Sequence, residues 1–322
     1  MKDIKILLEK IKSSETIIIA GHTNPDGDAI SACFALSAII FENFNKQPIV
    51  LLEEFPKKFN ILGTADVDYD QNKEIDLFIS VDTATLDRLE RFKDVFRRAS
   101  FTANIDHHAT NENYADLNLI KENASSTCEW IYSLFNKYCE INKKAANALY
   151  SGIIFDTGRF LHKSTTAKTH KITAALIKKG AETSSLTKKL ILTRTLPETY
   201  IFGRVLSNLK EVANGKIVYS CITLSDLTET GATYGDMDGM VEHLLNIKGV
   251  SAAALFTEHA ENEIKISFRS KETDISLFAK AFGGGGHKLA AGAVFEGTMK
   301  EAVDKVIINL IKYMLYGFED DK

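Results

Sequence analysis

The chain has 322 residues, 45% of them hydrophobic and 25% charged, with 19 Gly and only 4 Pro. At roughly 100–200 residues per domain this length suggests two domains, and the composition excludes disordered, collagen-like and mucin-like chains. The 39 basic and 43 acidic residues give a net charge of -4, which supplies no broad cationic face. Any nucleic-acid ligand should therefore be short, and no long nucleic acid is expected.

Residues 2–12 pattern as an amphipathic helix and Thr16-Ile17-Ile18-Ile19 as a buried strand. A polar loop opens at Gly21. Apolar residues then recur at helical spacing from Asp28 to Phe44, and beyond Pro48 the run Ile49-Val50-Leu51-Leu52 restarts as a strand. Strands are predicted at 77–81 and 101–105, and helices at 126–139 and 143–155. Residues 166–179 read as a helix ending at Gly180, and 184–210 carry the Leu/Lys/Arg pattern of connecting helices with no strand. After Gly215, strands at 216–223, 250–256 and 263–268 alternate with helices near 236–246 and 298–315. The expected fold class is α/β, a doubly wound, mainly parallel sheet (1–185), joined by a helical linker (186–214) to a smaller α+β domain (215–322). The end Glu319-Asp320-Asp321 reads as a solvated tail.

The start of the chain has acids among its first residues and an amphipathic continuation, unlike a signal peptide. No run approaches the roughly 18 apolar residues of a membrane span, so no membrane partner is expected. Cys33, Cys128, Cys139 and Cys221 form no Cys-x-x-Cys pair, which fits a reducing cytoplasm.

Chemistry concentrates where three predicted strands end. Gly21-His22-Thr23-Asn24-Pro25-Asp26-Gly27-Asp28, Ser80-Val81-Asp82-Thr83 and Asn104-Ile105-Asp106-His107-His108 each follow a strand, and Asp156 ends a helix. Open α/β sheets put their ligand sites beyond the carboxyl ends of the strands, so these residues should share one crevice. Singly they also read as turn residues and helix caps. Together, Asp26, Asp28, Asp82 and Asp156 would repel one another unless protons or divalent metal neutralised them. Carboxylate and imidazole without thiolate fits Mn²⁺ or a similar first-row ion better than structural zinc or calcium. Two ions roughly 3.5–4 Å apart would generate a hydroxide nucleophile and clamp a phosphate.

These residues resemble the motifs of the DHH phosphoesterases: the stretch from His22 to Asp28 is similar to the first and Asp106-His107-His108 to the third. Asp82 and Asp156 fall where the second and fourth would. The resemblance implies a catalytic set of His22, Asp26, Asp28, Asp82, His107, His108 and Asp156. In it, His22 and Asp26 hold one Mn²⁺, Asp28, His107 and Asp156 hold the other, and Asp82 bridges, with Mg²⁺ or Co²⁺ as substitutes. Asn24 and Asp106 would orient ligands by hydrogen bonding, and His108 would touch the substrate phosphate.

The run from Phe282 to Gly292 resembles the glycine-rich signature of the DHH-associated C-terminal domain. Gly284, Gly285 and Gly286 would let backbone N–H groups approach an anion, with His287 and Lys288 as charged donors. Arg269 would grip a second phosphate bidentately. The competing reading is a purely structural glycine turn. Ser125-Ser126-Thr127 could serve a phosphate or cap a helix, and Arg159 could stabilise charge developing at phosphorus.

This organisation resembles the stand-alone nanoRNase branch. It implies an oligoribonuclease and pAp phosphatase acting on nanoRNA, linear di-adenylate or 3′-phosphoadenosine 5′-phosphate, with a homodimer admitted. The alternatives are a cyclic di-AMP phosphodiesterase, an inorganic pyrophosphatase and a non-catalytic nucleotide sensor.

Overall fold

The computed structural model describes residues 2–66 and 73–316, so the acidic end Glu319-Asp320-Asp321 lies outside the described residues. The chain divides into two compact units, Met1–Thr193 and Arg194–Lys322.

The first unit contains α1 (Lys2–Ser13), β1 (Ile17–Ala20), α2 (Gly27–Phe44), β2 (Ile49–Leu51), β3 (Leu77–Val81), α3 (Lys93–Arg98), β4 (Thr102–Asp106), β5 (Leu117–Ile120), α4 (Thr127–Phe135), α5 (Lys143–Asp156), α6 (Ala167–Lys178) and α7 (Thr183–Thr187). Its five strands are all parallel, in the order β2-β1-β3-β4-β5. Side chains alternate across the sheet, so β1, β2 and β3 each feed two cores. Ile17, Ile19, Leu77, Ile79, Val81, Ala103 and Ile105 pack with α1, α2, α4 and α5 on one face. Ile18, Ala20 and Phe78 meet Leu89, Val95 and Phe96 on the other. The doubly wound expectation is met, and its order sets the site. The chain leaves β1 on one side for β2 and returns on the other for β3, so the crevice opens where β1 and β3 diverge.

Helix α2 begins at a cap, because the Asp26 carboxylate accepts from the N–H groups of Asp28 and Ala29, and it stops at Asn45 in the left-handed region (φ 51°). Its 18 residues have the length and composition of a membrane span, a correction to the sequence reading, yet 78% of the helix is buried inside the first unit. Ile30, Leu36 and Ile39 are fully enclosed, and Leu36→Ala would cost roughly 2–5 kcal/mol.

The second unit comprises α8 (Leu196–Ser207), β6 (Lys210–Val212), β7 (Ile217–Ile222), α9 (Leu224–Thr230), α10 (Met240–Leu245), β8 (Ala252–Ala260), β9 (Glu263–Ser270), α11 (Ile275–Lys280), β10 (Gly285–His287), β11 (Ala290–Glu296) and α12 (Met299–Tyr316). Its six-stranded sheet runs β10-β11-β9-β8-β7-β6, antiparallel except for β7 and β8. Helices α11 and α12 cover one face, and α8, α9 and α10 the other.

The segment expected as a linker is shared between the units. Leu186 and Leu190 pack in the first core, whereas Ile201 and Val205 of α8 pack in the second. These side chains tie the start of the segment to the first core and α8 to the second, and β6 adds a strand within it. Three other strands escaped the sequence reading. β5 has only four residues, with alternate burial. β10 and β11 are built largely of Gly and Ala, whose strand character comes from pairing rather than propensity.

Candidate metal centre and phosphate-binding segments

The carboxyl ends of β1, β3 and β4 bring His22, Asp82, His107 and His108 to the N-terminus of α2 and the C-terminus of α5, which carry Asp26, Asp28 and Asp156. Three groupings, His22–Asp26–Asp82, Asp28–His107–Asp156 and Asp82–His107–His108, each offer ligand atoms within 4.8 Å of one another. His22 Nε2 lies 3.9 Å from both Asp26 Oδ2 and Asp82 Oδ2. His107 Nε2 is 3.4 Å from Asp156 Oδ2 and 3.6 Å from Asp82 Oδ1. Asp82 belongs to two of the groupings and reaches an imidazole of the third.

The surroundings fix how these groups point. The His22 and His107 Nδ1 atoms face the carbonyls of Thr23 (2.7 Å) and Ala124 (3.2 Å). With Nδ1 donating its proton there, each Nε2 turns a lone pair toward the carboxylates, the tautomer a metal ligand needs. Asp82 adopts a left-handed backbone (φ 55°), a conformation that costs an ordinary residue of order 1–3 kcal/mol and recurs at functional sites. Asp106 is fully buried; its Oδ1 accepts from His107 N and His108 Nδ1, and its Oδ2 from Asn111 Nδ2. It orients the His108 imidazole and ties down the His107 main chain, while the His107 ring is set by the Ala124 carbonyl.

Charge is crowded here. Burial, then the charges of Asp82, Asp156 and Asp26, push the Asp28 carboxyl well above its ordinary range. Burial also raises Asp82, helped by Asp26 and opposed by His107, His108 and His22. Asp156 is raised to about 7, chiefly by burial, which outweighs the nearby His107. Asp26 goes the other way: despite desolvation, the hydrogen bond to His22 and the α2 N–H groups hold it at about 2. His108 is raised to about 9, first by its hydrogen bond to Asp106. Carboxylates that cannot all ionise together, set among imidazole nitrogens, make a donor set suited to a divalent cation.

Two supports were not foreseen. The backbone N–H groups of Thr127 and Cys128 clasp Asp28 (2.6 and 3.2 Å), and Thr127 Oγ1 donates to Asp82 Oδ1 at 2.7 Å. Ser126, not Thr127, caps α4. The hydroxyl-rich run before α4 therefore serves the helix and two carboxylates rather than a phosphate. Second, Gly152 of α5 makes room for the cluster: a Cβ there would lie 2.3 Å from Cys128 Sγ and 2.4 Å from Asp28 Oδ1. Asn24, expected to orient a ligand, instead contributes a left-handed turn (φ 48°) and a backbone N–H to Glu53. Arg159 is exposed, in a left-handed turn (φ 64°) just past α5.

In the second unit the glycine run folds as the β10–β11 hairpin. A Cβ at Gly284 would fall 2.0 Å from Gly292 O and one at Gly286 2.6 Å from Ala290 O, so strand approach itself demands those two glycines. The structural reading thus explains part of the run. Gly285 opens onto free space, and His287 and Lys288 are exposed with no carboxylate at ion-pair distance among the described residues. Arg269 is more committed than expected: Nε donates to Glu242 Oε1 (2.5 Å) and Nη1 to the Phe268 carbonyl (2.9 Å). A phosphate would have to displace that carboxylate.

The chain is 32% identical to the probable bifunctional oligoribonuclease and PAP phosphatase NrnA of Streptococcus mutans, over 97% of this chain and 100% of that one. It is also 32% identical to the bifunctional oligoribonuclease and PAP phosphatase NrnA of Bacillus subtilis, over 89% and 91%. A crystal structure of an exopolyphosphatase-related protein from Bacteroides fragilis superposes with a TM-score of 0.88 at 28% identity, covering 97% of this chain and 96% of that one. The model of the DHH family N-terminal domain matches residues 16–153, and that of the DHHA1 domain matches residues 214–314. With both models matched in sequence and relatives aligned along nearly its whole length, the chain belongs to the DHH family.

Proposed function

We propose that this protein is a cytoplasmic, manganese-dependent phosphoesterase that hydrolyses nanoRNA, linear di-adenylate and 3′-phosphoadenosine 5′-phosphate. The observation that carries the reading is Asp82, buried between two imidazole–carboxylate groupings at the sheet's switch point. The names of the two NrnA relatives support the substrate class.

His22 and Asp26 would hold one Mn²⁺, Asp28, His107 and Asp156 the other, and Asp82 would bridge them. Such a pair, when bound, polarises a phosphate oxygen and acidifies a water. The chain's own residues do the rest. Thr127 and the first N–H groups of α4 keep Asp82 and Asp28 in place. Asp106 takes the His108 Nδ1–H and holds the ring in its charged form, so the His108 Nε2–H would donate to a substrate oxygen. His287 and Lys288 would bind a further phosphate, whereas the N–H groups of Gly283 and Gly284 already donate to the carbonyls of Lys280 and Ala279.

The test is to incubate the full chain with Mn²⁺ and 5′-phosphorylated di-adenylate or 3′-phosphoadenosine 5′-phosphate and follow AMP. Metal-dependent release of AMP supports the assignment; binding without turnover, with metal occupancy verified, replaces it with a nucleotide sensor. Faster hydrolysis of pyrophosphate than of either nucleotide would also overturn it.

A further inference from the structure

We propose that Arg88 is a substrate-recognition residue, binding a non-bridging phosphate oxygen on the His22 side of the site; this rests on the phosphoesterase reading above. Arg88 lies in the 3-10 stretch Leu86–Phe92 and is exposed. Its carbonyl accepts from Thr23 N at 2.8 Å, so its main chain is tied to the loop that carries His22.

The guanidinium leans on the candidate ligand. Arg88 Nη2 is 2.8 Å from His22 Nδ1, the same nitrogen that lies 2.7 Å from the Thr23 carbonyl. One nitrogen cannot donate to a carbonyl and accept from a guanidinium. An unprotonated Nδ1 at that distance would set its lone pair against that of the oxygen, so the proton belongs on Nδ1 and goes to Thr23. The contact with His22 takes up at most one Arg88 N–H, and the remaining guanidinium N–H groups have no acceptor among the described residues.

Nothing nearby neutralises it. Among the described residues no carboxylate stands at ion-pair distance from Arg88, and the adjacent Asp87 is held by Lys93. Its neighbour Arg91 differs, reaching the Leu52 carbonyl at 3.3 Å and covering the Phe92 ring at 4.7 Å. An exposed guanidinium with unfilled donors, placed beside a cluster that would bind phosphoryl oxygens, has the fork geometry that recognises phosphate.

The experiment compares the full chain with Arg88→Ala and Arg88→Lys in the presence of Mn²⁺. It measures steady-state kinetics on 5′-phosphorylated di-adenylate, Mn²⁺ affinity by calorimetry, and affinity for inorganic phosphate. Expected is a KM raised about tenfold or more in Arg88→Ala, phosphate affinity reduced in parallel, and Mn²⁺ affinity unchanged, with partial recovery in Arg88→Lys. Unchanged KM and phosphate affinity would overturn the proposal. So would weakened Mn²⁺ binding with KM unaltered, which would make Arg88 a support for His22. If the unmodified chain binds Mn²⁺ but turns over no substrate, the phosphoesterase reading fails by itself. Phosphate affinity then still decides: lost in Arg88→Ala it sustains the recognition role, retained it ends it.

Discussion

The carboxyl edge of the parallel sheet and the glycine hairpin of the second unit are built on opposite principles. At the sheet edge Asp28, Asp82 and Asp106 are almost wholly enclosed, and each carboxylate is aimed by a backbone N–H, a hydroxyl or an amide. At the hairpin His287 and Lys288 stand exposed, and only the backbone is fixed. A site that gathers like charges has to be held rigidly, because every carboxylate resists its neighbours. One that offers cations to a mobile anion can leave its side chains free until the ligand arrives. Damage should therefore be steep in the first region and graded in the second.

The steepest loss is expected for Asp82→Ala, with kcat lowered at least about a thousandfold, a scale typical of deleting a group that stabilises charge in the transition state. A rate within tenfold of the parent would remove Asp82 from the bridging role. Next is Gly152→Ala, whose new methyl group would displace Cys128 or Asp28. Mn²⁺ affinity should fall roughly 10–100-fold and stability by about 1–3 kcal/mol, read by calorimetry and denaturant unfolding.

Metal removal should expose the repulsion directly. Asp28, Asp82, Asp156 and His108 are all raised in the folded state, Asp156 to about 7 and His108 to about 9. The native protein therefore binds more protons than the unfolded chain from about pH 4 to about pH 9, and its stability should fall as pH rises through that window. Asp26, held at about 2, acts the other way only below about pH 4. Melting temperatures of the metal-free protein across that range check the sign, and saturating Mn²⁺ should abolish most of the slope.

A milder effect is expected for Thr127→Val, which removes only the hydrogen bond to Asp82: about tenfold in kcat, with Thr127→Ser restoring most of it. Smallest is the hairpin. His287→Ala or Lys288→Ala should raise KM a few-fold, roughly the worth of one exposed charged contact, and leave Mn²⁺ stoichiometry untouched. A metal defect in either variant would erase the contrast between the two regions.

Much of this was legible along the chain. The apolar runs at Ile17–Ile19 and Leu77–Ile79 announce buried parallel strands because no polar residue interrupts them. The polar residues directly after them mark the functional edge because loops beyond strand ends are where a parallel sheet can present ligands. Less legible were Thr127, Gly152, Arg88 and Asn111, since none stands in a charged motif and each matters only through what lies across from it.

The sequence by itself determined the alternation of strands and helices and the residue types gathered at their ends, because burial period and donor chemistry are local properties of the chain. Which carboxylate faces which imidazole was decided only by tertiary structure, as was the role of the α4 N–H groups as a clasp for Asp28. The same holds for the assignment of α8 to the second core. These depend on contacts between residues as far apart as Asp28 and Cys128, and spacing along a chain carries no measure of distance across a folded one.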